Sequence, residues 1–217
     1  MFIVLADNQD ITRAGLTYLC EKMEEFMGIC NPRAVYDKNA LIEQLKQHND
    51  AIVVLDYTLF DINDIEELEI LHQRFPLVHW ILFSDELSLE FVRRVIATAP
   101  QFSVVLKESP LQEIRQSISY AARHQRYICQ RMTEQLLVPQ ATEAAADIRL
   151  TKTETEILKD IALGQTTREI ADRRFSSFHT INTHRKNIFR KLGVNNAHEA
   201  TKYALRAGLV DAAEYYI

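Results

Sequence analysis

Hydrophobic residues arrive along the first 110 positions in short bursts, divided by stretches in which they recur every three or four residues. The bursts are FIVLA (2–6), a weaker one near Arg33 to Tyr36, IVVLD (52–56), VHWILFS (78–84) and SVVLK (103–107). Between them, the stretches from Ile11 to Met27, Asn39 to Gln47, Asp64 to Arg74 and Leu87 to Ala97 carry the periodicity of amphipathic helices. Bursts apolar on both faces, each separated from the next by a helix, predict an α/β, doubly wound architecture: a five-stranded parallel sheet with helices on both sides. Ligands of such sheets bind beyond the carboxyl ends of the strands. That rule singles out Asp7, Asp56, Ser84 and Lys107, the polar residues that close or follow four of the five bursts.

Pro110 opens a longer helical pattern, with Leu111, Ile114, Ile118, Ala121, Ile128, Met132 and Leu136 on one side. A continuous helix to Leu137 would span about 40 Å, more than a five-stranded sheet covers, so its second half is expected to project as a connector or pairing surface. PQATEAAAD (139–147) has no apolar periodicity and reads as a tether. After it, Thr151-x-x-Glu154 and Thr166-x-x-Glu169 are capping boxes that each start a helix. The first stops at Gly164 and the second covers about Thr167 to Arg174. A third begins with Ser177 as N-cap and ends before Gly193, and a fourth runs from Ala197 to Ala207. Four short helices, two of them joined by the turn Phe175-Ser176, predict a second, all-α domain of helix-turn-helix type. The organisation is thus residues 1–120, an extended helix and linker over 121–148, and residues 149–217.

Charge sharpens this division. The net charge of −5 conceals 13 basic against 22 acidic residues up to position 148, and 12 basic against 8 acidic residues beyond it. A basic end on an acidic chain fits a polyanion met only by the second domain. No apolar run approaches the roughly 18 residues of a membrane span, and no basic region precedes the apolar start. Three scattered cysteines, Cys20, Cys30 and Cys129, lack metal-ligand spacing and read as buried free thiols of a cytoplasmic protein.

On a helical wheel the third helix of the second domain gathers Phe178, Ile181, Ile188, Phe189 and Leu192 on an inward arc, with Arg185 at its margin. His179, Asn182, Thr183, Lys186 and Arg190 fall on the opposite arc. Asn pairs with adenine, Thr touches a thymine methyl or a phosphate, and Lys reads guanine or neutralises phosphate, so this arc suits double-stranded DNA. Any exposed helix face is polar, and the DNA reading rests on the capped helix-turn-helix around it. The stretch TKTETEILKDIALGQTTREIADRRFSSFHTINTHRKNIFRKLGV then resembles the DNA-binding domain of the LuxR/NarL family, whose pattern is LT-x-x-E-x-x-[IV]-L, then G, EIA, and T-[VI]-x-x-H-x-x-x-I-x-x-K-L. The resemblance implies a four-helix domain whose third helix enters the major groove, with Asn182, Thr183 and Lys186 facing bases and dimer contacts through the fourth helix. His184 has no ligand partner at metal spacing and is expected to be structural.

Residues 2 to about 120 resemble the receiver domain of two-component response regulators, a flavodoxin-like fold. The resemblance implies that Asp56 is the phosphoacceptor for a histidine kinase, with Asp7, Asn8, Asp56 and the main-chain carbonyl of Thr58 around Mg²⁺. It likewise makes Ser84 and Lys107 the partners of the new phosphoryl group. An aspartate attacks phosphorus only when its repulsion with the incoming anion is relieved, which a divalent cation and a lysine supply. By itself, Asp56 also fits a polar strand terminator or helix N-cap; the four coincident strand ends decide for the site.

Three departures from the receiver pattern stand out. Asn8 replaces an acidic residue, so Mg²⁺ is expected to bind weakly unless Asp10 or Asp61 restores the charge. The turn Asp56-Tyr-Thr-Leu-Phe-Asp61 lacks the usual Pro-Gly, and Val104 stands where an aromatic is common. The expected function is a homodimeric, phosphorylated transcription regulator rather than an enzyme. The alternatives are an atypical receiver that works without phosphorylation and, remotely, an aspartate-nucleophile phosphatase, which would want a second acid at position 58.

Overall fold

A computed structural model of the chain describes residues 1–23, 31–137 and 150–210. The tether at Pro139 to Asp147, Cys30 and the end of the first helical pattern lie outside them. The chain divides into two compact units, Met1–Pro139 and Gln140–Ile217.

In the first unit the elements alternate as the hydrophobic bursts require: β1 (Phe2–Ala6), α1 (Asp10–Lys22), β2 (Asn31–Val35), α2 (Lys38–Gln47), β3 (Ile52–Leu55), α3 (Ile65–Arg74), β4 (His79–Ser84), α4 (Leu89–Thr98), β5 (Phe102–Leu106) and α5 (Leu111–Ala122). All pairings are parallel, in the order β2-β1-β3-β4-β5. Residues of β3 and β4 are buried throughout, which is why they read as unbroken apolar runs rather than alternating ones. Leu16 of α1 and Ile114 and Ile118 of α5 gather over Val54, Ile81 and Phe83 of the sheet. The side chains of Asp37, Asp64 and Ser88 cap α2, α3 and α4, each accepting a backbone N–H three residues on.

The long helix expected from Pro110 to Leu137 is two helices. α5 ends at Ala122; His124 takes a left-handed conformation (φ 55°), and the N–H of Gln125 donates back to Tyr120 O at 2.9 Å. The chain then runs beside β5, where Val104 N–H donates to Tyr127 O (2.8 Å) and Cys129 N–H to Val104 O (2.9 Å). The cause is the open edge of β5, whose backbone groups take partners that a continuing helix would deny them. The guanidinium of Arg126 secures the excursion by donating to Ile96 O and Ala99 O at the end of α4. α6 (Gln130–Leu137) follows, and Met132 and Cys129 are buried in the first unit's core. The second half of the pattern therefore packs instead of projecting.

The second unit is α7 (Lys152–Ala162), α8 (Thr167–Arg173), α9 (Phe178–Leu192) and α10 (Ala197–Arg206) around a core that includes Ile157, Leu158, Ile161, Ile170, Ile181, Ile188 and Ala204. Both capping boxes form, the Thr side chain accepting from the Glu N–H and the Glu carboxylate from the Thr N–H. Gly193 closes α9 at φ 67°, a conformation costly for other residues. Among the described residues no helix is long and apolar enough to cross a membrane.

Candidate phosphoacceptor site and nucleic-acid interface

Strand order reverses between β1 and β3: β1 leads to β2 on one side, while β3, β4 and β5 extend on the other. A crevice opens beyond the carboxyl ends at such a switch point. Asp7 and Asp56 follow these two strands, each only 1% exposed. The N–H of Asp56 donates to Ala6 O at 2.9 Å and keeps the two carboxylates abreast. Asp7 Oδ1 accepts from Gln9 N–H (2.7 Å) and Asp56 Oδ1 from Thr58 N–H (3.0 Å). Their other oxygens face Lys107, whose Nζ lies 2.8 Å from Asp7 Oδ2 and 2.6 Å from Asp56 Oδ2.

Lys107 arrives there through the β4–β5 pairing, and its own N–H donates to Ser84 O at 3.0 Å. All four residues expected at the strand ends thus share one edge of the sheet. Two buried atoms there lack an aligned hydrogen bond: Ser84 Oγ, and Asp7 Oδ2 despite its short distance to Lys107. Burial pushes the Asp56 carboxyl above its usual range, and the Lys107 ammonium opposes this only in part. Burial also works against the lysine's charge, but the two carboxylates prevail and raise its pKa. The result is a carboxylate that is reached by a cation yet incompletely stabilised.

Asn8 does not join this pocket. It is exposed, and its Nδ2 donates to Leu59 O at 2.8 Å, clasping the β1 loop to the β3 loop. Nor is the missing acid restored: Asp10 pairs with Arg13, and Asp61 Oδ2 accepts the N–H of Lys38 at the start of α2. Among the described residues no group of three His, Cys, Asp or Glu side chains could hold a metal. Two carboxylates with an unaligned buried oxygen, beside the Thr58 main chain, fit an ion such as Mg²⁺ that keeps several of its waters. The loop without Pro-Gly is shaped by apolar anchors: Tyr57 is buried with its ring 4.3 Å from that of Phe91, and Phe60 and Ile62 are buried too. Val104 is fully buried within β5.

Two residues that sequence reasoning missed belong to this site. Gln9 Oε1 accepts from Lys107 Nζ at 3.0 Å, and the Arg13 guanidinium donates to Asp7 O. Gln9 is 98 positions from Lys107, and no periodicity announces such a pair.

In the second unit Ser177 caps α9, accepting from Thr180 N–H at 3.0 Å. Of the polar arc, His179, Thr183, Lys186 and Arg190 are exposed and Asn182 is half-buried. Two expectations need correction. Arg185 is buried, its guanidinium 5.5 Å from the Phe189 ring centre, and burial lowers its pKa. Phe178, placed on the inward arc by the wheel, is 58% exposed, because as the first helical residue it lies ahead of the core formed by Ile181 and Ile188.

Ion pairs on two buried carboxylates of α7 tie it to α9 and to the end of α8. Lys191 Nζ reaches both oxygens of the buried Glu154 (2.6 and 2.8 Å) at the start of α7, and Thr151 N–H donates to the same carboxylate. The Lys191 contact, with the capping hydrogen bonds, holds Glu154 down at about 2. Asp160, also buried, accepts from Arg173 (3.0 Å) and Arg174 (2.7 Å) at the end of α8.

Residues 149–204 match the model of bacterial regulatory proteins of the luxR family. Across nearly its whole length the chain is 23% identical to the transcriptional regulatory protein DegU of Brevibacillus brevis, covering 96% of this chain and 94% of that one. It is 26% identical to the response regulator GacA of Pseudomonas aeruginosa, covering 97% and 98%. Among solved structures, two RcsB dimers bound to two parallel DNAs share the fold at a TM-score of 0.54 and 21% identity, over 97% of this chain and 99% of that one.

Proposed function

We propose that the chain is a response regulator of the LuxR/NarL family, a DNA-binding transcription regulator switched by phosphorylation of Asp56. One observation carries the reading: a buried carboxylate, a lysine bridging it to a second carboxylate and a buried hydroxyl converge at one sheet edge. The same chain carries an exposed polar recognition face on α9.

In the proposed step an Asp56 oxygen forms a bond to the phosphorus of a partner histidine kinase's phosphohistidine. The P–N bond breaks, and its electron pair returns to the imidazole. Lys107 neutralises the incoming anion, and the Ser84 hydroxyl takes a phosphoryl oxygen as acceptor. Asp7, Asp56 and the Thr58 carbonyl would hold Mg²⁺, which when bound relieves the repulsion between carboxylate and phosphate. Gln9 keeps the Lys107 ammonium centred between the two carboxylates. The added charge at the strand ends draws on Ser84 and the loop after β4, which biases association of the chain with a second copy. Such a homodimer would place two α9 helices about one DNA turn apart, on a two-fold-related site in double-stranded DNA.

Incubation of the full chain with Mg²⁺ and a small phosphodonor, followed by intact-mass measurement and sizing chromatography, tests the reading. An adduct of about 80 Da, one phosphoryl group, is expected on wild type and absent from Asp56→Asn. No adduct across several donors and Mg²⁺ concentrations would favour a receiver that acts without phosphorylation.

A further inference from the structure

The turn into α9 leaves two aromatic side chains in the open. Phe175 is 99% exposed and Phe178 is 58% exposed. Phe175 adopts φ 50° where α8 ends, a left-handed conformation that disfavours a residue with a Cβ, and the N–H of Ser176 closes the turn onto Ala171 O at 2.9 Å. The turn therefore holds the ring out of the domain core. Phe178 begins a stripe that continues at four-residue intervals through Asn182 and Lys186, so it is continuous with the polar recognition face. Single exposed apolar residues are ordinary, but Phe175 and Phe178 are two large rings within four positions at the start of α9.

We propose that Phe178, supported by Phe175, is a specificity-determining residue that reads thymine methyl groups in the major groove. The inference rests on the DNA-binding reading of α9. A recognition helix presents its N-terminal residues to base edges, and Phe178 is the first residue of this one. The thymine methyl is the one apolar feature of the major-groove code, and a phenyl ring has the chemistry to contact it. The neighbouring His179, Asn182, Thr183 and Lys186 supply hydrogen bonds and positive charge, which gives the groove a polar rim around an apolar contact. A docked protein would cover the same rings but would give no reason for the alignment of Phe178 with Asn182 and Lys186.

The test starts by selecting preferred duplexes from a random pool with the full chain. Each thymine of a selected duplex is then replaced by deoxyuridine, which removes only the methyl, and affinity is read by fluorescence anisotropy. At one or two positions wild type should weaken about fourfold, the equivalent of one apolar carbon. Phe178→Ala should bind the unmodified duplex about fourfold or more weakly and be indifferent to deoxyuridine at those positions. Phe178→Leu should restore part of both effects, and an unchanged circular-dichroism melt shows that the variants fold. If Phe178→Ala keeps wild-type affinity or the same deoxyuridine sensitivity, the proposal is overturned and the rings are left to a protein partner. A wild type that selects no duplex would instead remove the DNA-binding reading beneath it.

Discussion

Asp56 and Glu154 are both buried carboxylates, and each meets one lysine from a distant element at 2.6 Å. Their acidities move in opposite directions: Asp56 is pushed up by burial, and Glu154 is held down at about 2 by Lys191 and its cap. The difference lies in which influence is largest: burial for Asp56, the hydrogen bond to Lys191 for Glu154. Glu154 takes both of its oxygens to Lys191 and one also to the N–H of Thr151, closing a capping box at a helix start where the dipole favours an anion. Asp56 takes one oxygen to Thr58 N–H and the other to a lysine it shares with Asp7, and burial outweighs both. A buried carboxylate whose charge is compensated pins two helices; one whose burial outweighs its partners is available for chemistry.

Removing each charge with the nearly isosteric amide should separate these roles. Glu154→Gln leaves Lys191 facing a neutral group and should destabilise the second unit by about 2–3 kcal/mol, seen as faster amide exchange in α7 and α9 peptides. Asp56→Asn should do the reverse, stabilising the first unit by about 1 kcal/mol in urea unfolding, because a poorly solvated charge is removed while Lys107 keeps Asp7 and Gln9. Equal losses in both variants would erase the comparison.

Acid sharpens it further. The folded pKa of Glu154, about 2, lies below its ordinary value of 4.5. Its contribution is therefore complete above pH about 4.5 and is lost as pH falls toward 2. Allowing for solvent screening at the half-exposed Lys191, the loss should be about 1–2 kcal/mol between pH 5 and 3. Hydrogen exchange across that range should show α7 and α9 loosening with falling pH, and Glu154→Gln should flatten the dependence. The smallest effect concerns the DNA face: Arg190→Ala should lower the slope of log affinity against log salt by about one, with sequence preference unchanged.

Much of this architecture is legible in the chain. The strands announce themselves as apolar runs because helices cover both faces, and strand ends are where a parallel sheet collects its polar chemistry. Thr151-x-x-Glu154 and Thr166-x-x-Glu169 mark their helices because capping is local. Features fixed by distant partners leave no such mark. Ala121, Ile128 and Met132 keep one helical period, yet Ile128 pairs with β5 and Met132 belongs to a separate helix. Lys107–Gln9 and Lys191–Glu154 join residues 98 and 37 positions apart. The exposure of Phe178 was hidden because a wheel treats a first helical residue as though the core extended beside it.

Chemistry at Asp56 is expected to govern what α9 does to DNA. The direct measurement is a fluorescence-anisotropy titration of a selected duplex with the full chain, before and after treatment with Mg²⁺ and a small phosphodonor, on wild type and Asp56→Asn. Treated wild type should bind about tenfold more tightly, a gain of roughly 1.4 kcal/mol, and Asp56→Asn should not respond. Identical affinities before and after treatment of a wild type that carries the phosphoryl adduct, or an equal response from Asp56→Asn, would contradict the claim.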